Sequence, residues 1–191
     1  MDPILNQGEI YAHSLRLILT SALVVSFGLV GAQQIGAVVG TTCSTTSGTA
    51  TFSPALPKHG STAEVASTIR SSGSISGCSG GGVTSGTFTS TVQIHDPTNC
   101  DALLSGDNGT PVPSGTISTR WNNAQTSVAS ITLNPVAGQP TQTHIVGTVT
   151  SGLFKGRHVD VRVAFTPKTG NCVNSNLVSV TFKNNTPLKI S

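Results

Sequence analysis

Charged and aromatic side chains are scarce in this chain of 191 residues. Only 9% of the residues are charged and 4% are aromatic, against about 25% charged residues in an average globular domain. So little charge is not typical of a disordered chain, a coiled coil or a long amphipathic helix. A net charge of +3 also argues against a nucleic-acid-binding protein, which would present a concentrated basic surface.

Metal-binding cysteine pairs and the common cofactor motifs are also absent from the sequence. The closest two cysteines, Cys78 and Cys100, are 22 residues apart, whereas structural zinc sites use pairs separated by about two to four residues. The sequence contains neither a P-loop nor a Gly-x-Gly-x-x-Gly motif between a strand and a helix. We therefore predict no metal site, no cofactor and no catalytic residue.

An uncharged apolar segment, residues 17–30, follows Arg16 near the start of the chain. It is long enough for the core of a signal peptide and shorter than the roughly 20 residues that span a bilayer. Val30-Gly31-Ala32 has the small residues of a signal-peptidase site, so we predict a signal peptide over residues 1–32. Cleavage after Ala37 and an uncleaved anchor are the alternatives. We expect contact with a membrane only through the leader, before its cleavage.

Alternation of apolar and polar residues recurs along the remaining chain. Val159, Val161 and Val163, for example, alternate with polar neighbours, and threonine and serine together account for 51 of the 191 residues. Such alternation is typical of half-buried antiparallel strands. We predict an all-β fold, an antiparallel β-sandwich or open barrel of about eight strands, over residues 43–191, preceded by a flexible segment over residues 33–42. The alternating segments lie at about residues 50–56, 65–75, 83–94, 117–121, 129–133, 144–149, 158–166 and 178–183.

One short helix is expected between two of these segments. Asp96 could cap its N-terminus, Pro97 suits the first helical position, and Ala102-Leu103-Leu104 offers a brief apolar stripe.

All four cysteines, Cys43, Cys78, Cys100 and Cys172, lie beyond the predicted leader. An even number in an exported chain predicts two disulfides. Three connectivities are open, and we favour Cys78 with Cys100 and Cys43 with Cys172. The first bond would tie together the two ends of one strand, and the second would bring the ends of the domain together.

The glycine-rich segment Gly77-Cys78-Ser79-Gly80-Gly81 resembles the nucleophile loop of chymotrypsin-like proteases. The residue before Ser79 is not aspartate, however, and between the leader and Ser79 the chain holds one histidine, His59, and no aspartate. We interpret the segment as a turn around a disulfide cysteine.

Two pairs of ionisable residues could each contribute ligands to a metal site. His158 and Asp160 have the spacing that places them on one face of a strand, and His95 directly precedes Asp96. No third ligand is placed near either pair by spacing. We favour cross-strand polar pairing on the exposed face, with Arg157 or Arg162.

Trp121 is the one residue that could stack on a sugar ring in a carbohydrate-binding module. Its alternation with Ile117 predicts that it faces the core instead.

Several short segments together resemble a known group of proteins. They are Cys43, Ser47–Leu56, Cys78, Cys100–Leu104, Gly115–Ile117, Trp121-Asn122, Gln125–Ser127 and Gly147–Phe154. In these segments the chain resembles a loose group of small exported actinobacterial proteins of unassigned function. The resemblance implies a secreted, disulfide-bonded β-domain and brings no catalytic residue with it.

The sequence as a whole favours a secreted or cell-envelope-associated protein that is not an enzyme and binds a surface component or another ligand. Its partner is not specified by the sequence. The alternatives are a secreted hydrolase and a carbohydrate-binding module, neither of which has a recognisable motif here.

Overall fold

The computed structural model describes residues 39–101 and 112–191. Within those residues the chain forms nine β-strands, all of whose pairings are antiparallel. The strands are β1 (Thr41–Leu56), β2 (Thr68–Ser79), β3 (Ser85–Gln93), β4 (Ser114–Trp121), β5 (Thr126–Val136), β6 (Gln139–Gly152), β7 (His158–Thr169), β8 (Leu177–Asn184) and β9 (Leu188–Ile190).

The sheet closes on itself into an up-and-down barrel. Each strand from β2 to β8 pairs with its neighbour in sequence, and β1 pairs with both β2 and β8. The short β9 continues the position of β8, between β1 and β7, so the barrel has eight strand positions. The predicted all-β antiparallel architecture of about eight strands is confirmed. The described strands form one closed sheet without an open edge, unlike the open barrel that was one form of the prediction, and the β-sandwich that was its other form is not confirmed.

The alternation seen in the sequence sets which residues face the barrel interior. In β7, Val159, Val161 and Val163 are buried, whereas Asp160 and Arg162 between them are exposed. The inward positions of the other strands are likewise mostly apolar, and together they form one core cluster. The outward positions are largely threonine and serine, which suit a solvated sheet face.

Glycines on the inner face make room for two aromatic rings. Gly48 and Gly73 are paired on β1 and β2, and they lie between Phe182 of β8 and Phe88 of β3. A Cβ atom at Gly73 would lie 2.7 Å from the Phe88 ring, and one at Gly48 would lie 2.9 Å from the Phe182 ring. The two rings cover the glycine pair with their centroids 6.1 Å apart. These two rings therefore fill the part of the barrel interior beside the glycine pair.

One end of the barrel is closed by side chains from its turns. We call it the closed end, and it is formed by the β2–β3, β4–β5 and β6–β7 turns. Phe154, on the β6–β7 turn, is buried and packs edge-to-face on Trp121 with ring centroids 5.5 Å apart. Gly81 of the β2–β3 turn has φ +62°, and a Cβ atom there would clash with the Phe154 ring. The opposite end, where β1, β3, β5 and β7 finish, is called the loop end.

The structure differs from the sequence prediction at the start of the β-domain and at the expected helix. β1 begins at Thr41, two residues before the predicted domain start, because Thr41 and Thr42 pair with β9. Pro97 does not start a helix, since the next residue, Thr98, forms an isolated bridge with Val65. Helical structure appears at Cys100 and Asp101.

Two of the sequence predictions fall on parts of the chain that are not described. The signal peptide over residues 1–32 and the remainder of the predicted helix both lie outside the described residues. No helix among residues 39–101 and 112–191 combines the length and hydrophobicity needed to cross a membrane.

All four cysteines form disulfides, as predicted, but the favoured pairing was wrong. The bonds are Cys43–Cys78 and Cys100–Cys172. Cys43 and Cys78 lie directly opposite each other on β1 and β2, because these strands pair to close the barrel. Cys100 and Cys172 come from the β3–β4 and β7–β8 connections, which meet at the loop end.

We predict that non-reducing peptide mapping will link Cys43 to Cys78 and Cys100 to Cys172. Replacing both Cys100 and Cys172 by serine should lower the free energy of unfolding by about 4 kcal/mol, because their bond closes a loop 72 residues long. Urea unfolding of the double variant measures this loss. A peptide joining Cys78 to Cys100 would contradict the strand order described above.

Candidate functional site

The barrel contains a cavity of about 200 Å³. Its walls are mainly branched aliphatic and aromatic side chains, and each of the first eight strands contributes to them. Representative wall residues, from β1 to β8, are Phe52, Ile69, Val92, Ile117, Ile131, Ile145, Val161 and Phe182. An apolar cavity of about 150 Å³ is large enough to stay dry and bind benzene, so this one can hold a compact apolar molecule.

The mouth of the cavity lies at the loop end. Exposed residues of the β5–β6 hairpin line this part of the cavity, among them Pro135, Gly138 and Pro140. Pro113, which precedes β4, also lines it. At the closed end, by contrast, Trp121 and Phe154 are packed against each other. As lined by the described residues, the cavity is therefore a pocket with one entrance.

Few polar groups line the pocket, and none of its lining residues in the described parts of the chain is ionisable. The hydroxyls of Ser71 and Ser90 face each other at 2.5 Å and satisfy one another. Gln142 and Thr143 lie on β6, on the side of the mouth. Thr46, on β1, is buried, and its hydroxyl oxygen has no hydrogen-bond partner among the described residues.

Trp121 faces the core, as its alternation predicted. It is 2% exposed, and its indole Nε1 donates a hydrogen bond to Ser127 Oγ at 2.8 Å. The ring therefore offers no exposed face on which a sugar could stack.

Ser79 ends β2, beside the disulfide, as interpreted from the sequence. Its hydroxyl donates to the Thr42 carbonyl at 3.4 Å. The glycines that follow it, Gly80 and Gly81, have positive φ angles, as expected of a turn.

His158 and Asp160 share the outer face of β7, as predicted, and Asp160 takes part in a cross-strand pair. Its partner is His144 of β6, with 3.0 Å between Nε2 and Oδ2. The sequence could not identify this pair because it depends on the register between β6 and β7. Across the described residues, no group of three or more metal-ligating side chains comes together.

A second ionisable pair lies at the loop end and was not anticipated. His59 and Asp101 contact each other through Nδ1 and Oδ1. The Gly60 amide, which donates to Asp101 Oδ2 at 2.9 Å, and then the His59 ring lower the pKa of the Asp101 carboxyl. Asp101 directly follows Cys100, so this pair links the β1–β2 connection, which contains His59, to the β3–β4 connection beside the Cys100–Cys172 bond.

We predict that enlarging two buried alanines will affect stability to different extents. Ala50 lines the cavity, so Ala50→Leu should change the free energy of unfolding by less than about 1 kcal/mol. Ala129 is buried but does not line the cavity, so Ala129→Leu should destabilise by about 1–3 kcal/mol through overpacking. Urea unfolding compares the two variants. Equal destabilisation would mean that the space beside Ala50 is already filled.

The hydrogen bond between the Gly60 amide and Asp101 should weaken only below the ordinary pKa of an aspartate. Because the pKa of Asp101 is lowered, its carboxylate accepts this bond at neutral pH, and the bond weakens as the pH falls through the lowered pKa. We expect the Gly60 amide signal in NMR spectra to shift with a midpoint below 3.8, the ordinary value. Asp101→Asn should abolish this step. A midpoint at or above 3.8 would contradict the contact.

Comparisons with family models, with curated proteins and with solved structures gave no match for this chain. The resemblance to exported actinobacterial proteins therefore stays a prediction. Any assignment of function has to depend on the barrel and its pocket.

Proposed function

We propose that this protein is an exported, non-enzymatic binding protein that holds one small apolar molecule inside its barrel. The observation that carries the proposal is the apolar pocket of about 200 Å³ whose mouth, in the described structure, lies at the loop end. Eight-stranded barrels have interiors that are either filled by side chains or hold one small ligand. This interior is only partly filled.

The lining of the pocket supports binding over catalysis. Hydrolysis by general acid–base or nucleophilic chemistry needs a titratable group or an activated nucleophile within reach of the substrate. The two serines in the lining, Ser71 and Ser90, bond to each other. The two histidine–carboxylate pairs lie elsewhere, since neither His59 nor His144 lines the pocket.

Two disulfides are consistent with an oxidising extracellular environment. Together with the predicted signal peptide over residues 1–32, they support export. Cys43–Cys78 joins two barrel strands, and Cys100–Cys172 joins two connections at the loop end, beside the mouth. Such cross-links keep the empty pocket close to its bound shape, which reduces the entropy lost on binding.

We predict that naphthalene, used as a probe, binds the purified protein in a one-to-one complex. Its ten carbon atoms suit a cavity somewhat larger than one that holds benzene, and we expect a Kd on the order of 10–100 µM. A titration followed by methyl NMR should shift signals of lining residues such as Ile131 and Val161.

Ala50→Leu should weaken this binding at least tenfold, because the added side chain enters the pocket. Val173→Leu is the matched control, since Val173 is exposed on the β7–β8 connection, and it should leave the Kd unchanged. Failure of naphthalene and of similarly sized hydrocarbons to shift any lining methyl would overturn the proposed function.

A further inference from the structure

Thr46 carries an unsatisfied hydroxyl in the wall of the pocket. Its side chain lines the cavity and is 6% exposed. Its Oγ1 is buried and has no hydrogen-bond partner within the described structure. Buried side-chain polar atoms are nearly always paired, and an unpaired one calls for an explanation.

The surroundings of Thr46 do not supply the missing partner. Its backbone amide donates to Asn184 Oδ1 at 2.8 Å. The Asn184 amide nitrogen donates to the carbonyls of Ser44 and Thr186, at 2.9 and 2.8 Å. Both N–H groups of the Asn184 side chain, and one acceptor position of its oxygen, thus hold the backbone where β1 passes from β9 to β8. Asn184 fixes Thr46 in place and leaves the hydroxyl free.

The hydroxyl can be presented to a molecule in the pocket. A threonine side chain moves between staggered χ1 rotamers that exchange the positions of Oγ1 and Cγ2 around Cβ. Since the side chain lines the cavity, such a change allows the oxygen to face the cavity as well as the methyl group. A partner inside the pocket would therefore reach it without movement of the backbone.

Thr46 also lies deep in the pocket. It is three residues from Cys43 on β1, on the side of the closed end, and it pairs with Ile75 of β2. Two other hydroxyls in the wall, those of Ser71 and Ser90, are level with Ala50. That position is four residues nearer the loop end, about 13 Å along a strand. Thr143 carries the remaining hydroxyl of the described lining, and it lies on the side of the mouth. A compact ligand at Thr46 therefore meets the Thr46 hydroxyl and no other hydroxyl of the described lining.

We propose that the ligand is a compact apolar molecule with one neutral hydrogen-bonding group, a hydroxyl or a carbonyl, which pairs with Thr46 Oγ1 in the depth of the pocket. The proposal rests on the proposed function. A charged ligand is disfavoured because the lining supplies no opposite charge, and an unpaired ion is costly to bury. The polar group enters first, and the apolar part of the molecule faces the mouth.

The test compares naphthalene with 2-naphthol, which differs from it by one hydroxyl. The quantity measured is the ratio of their two Kd values, in the wild type and in Thr46→Val. Valine has the shape of threonine without its hydroxyl, so we expect the preference for 2-naphthol to fall about tenfold in this variant. The Kd for naphthalene should stay within about twofold of the wild-type value. A tenfold change corresponds to about 1.4 kcal/mol.

Two further variants separate hydrogen bonding from packing. Thr46→Ser keeps the hydroxyl and should keep the preference for 2-naphthol. Thr119→Val removes the hydroxyl of another buried threonine, which does not line the cavity, and should leave the ratio unchanged. The free Thr46→Val protein should also unfold about 2–4 °C higher than the wild type, because an unsatisfied buried hydroxyl has been removed.

The outcomes distinguish this inference from the proposed function. Absence of naphthalene binding to the wild type overturns the proposed function and the inference with it. Binding of naphthalene with the same ratio in the wild type and in Thr46→Val overturns the inference alone, as does an equal loss of preference in Thr46→Ser. If Thr46→Val does not fold, the NMR signal of the Thr46 methyl group in the wild type tests the inference instead. This signal should shift more with 2-naphthol than with naphthalene, and equal shifts would contradict the inference.

Discussion

Hydrogen bonding between β1 and β2 closes the sheet, and the other features of the barrel depend on that closure. The pairing runs from Thr42 opposite Ser79 to Ser53 opposite Thr68, nearly the full length of both strands. Without it, two long strands with few charges would present open edges, which are prone to pair with other chains. Closure also sets the number of strand positions at eight, and strand number largely determines the width of a barrel.

The pocket follows from a mismatch between this width and the volume of the side chains inside. The chain has one tryptophan and six phenylalanines, and Trp121 and Phe154 are used to close one end. The rings of Phe88 and Phe182 fill the part of the barrel interior beside Gly48 and Gly73. Elsewhere the inner positions are mostly valine, isoleucine and smaller residues, which leave space that the fixed diameter cannot remove.

Much of the fold could be predicted from the sequence, and much of the site could not. The alternation of Val159, Val161 and Val163 with polar residues identified β7 correctly, because strand periodicity is a local property. Disulfide pairing, closure of the sheet and the contact of His144 with Asp160 depend on which strands are neighbours, which local pattern does not encode. The sequence did not predict the pocket, because the pocket arises where the side chains of eight separate strands together fill too little of the barrel interior. The low aromatic content was the one signal that could have indicated it.

The free-energy cost of an unfilled cavity explains why the disulfides matter to the pocket. On the scale measured for cavities left by core substitutions, about 24 cal/mol per Å³, a cavity of about 200 Å³ costs roughly 5 kcal/mol. The bond between Cys100 and Cys172, which spans 72 residues, contributes about 4 kcal/mol in the chain-entropy account. One cross-link is therefore comparable with the cost of keeping the interior partly empty. The stabilisation that better packing would have supplied comes instead from covalent bonds outside the pocket wall, and the wall is left free to contact a ligand.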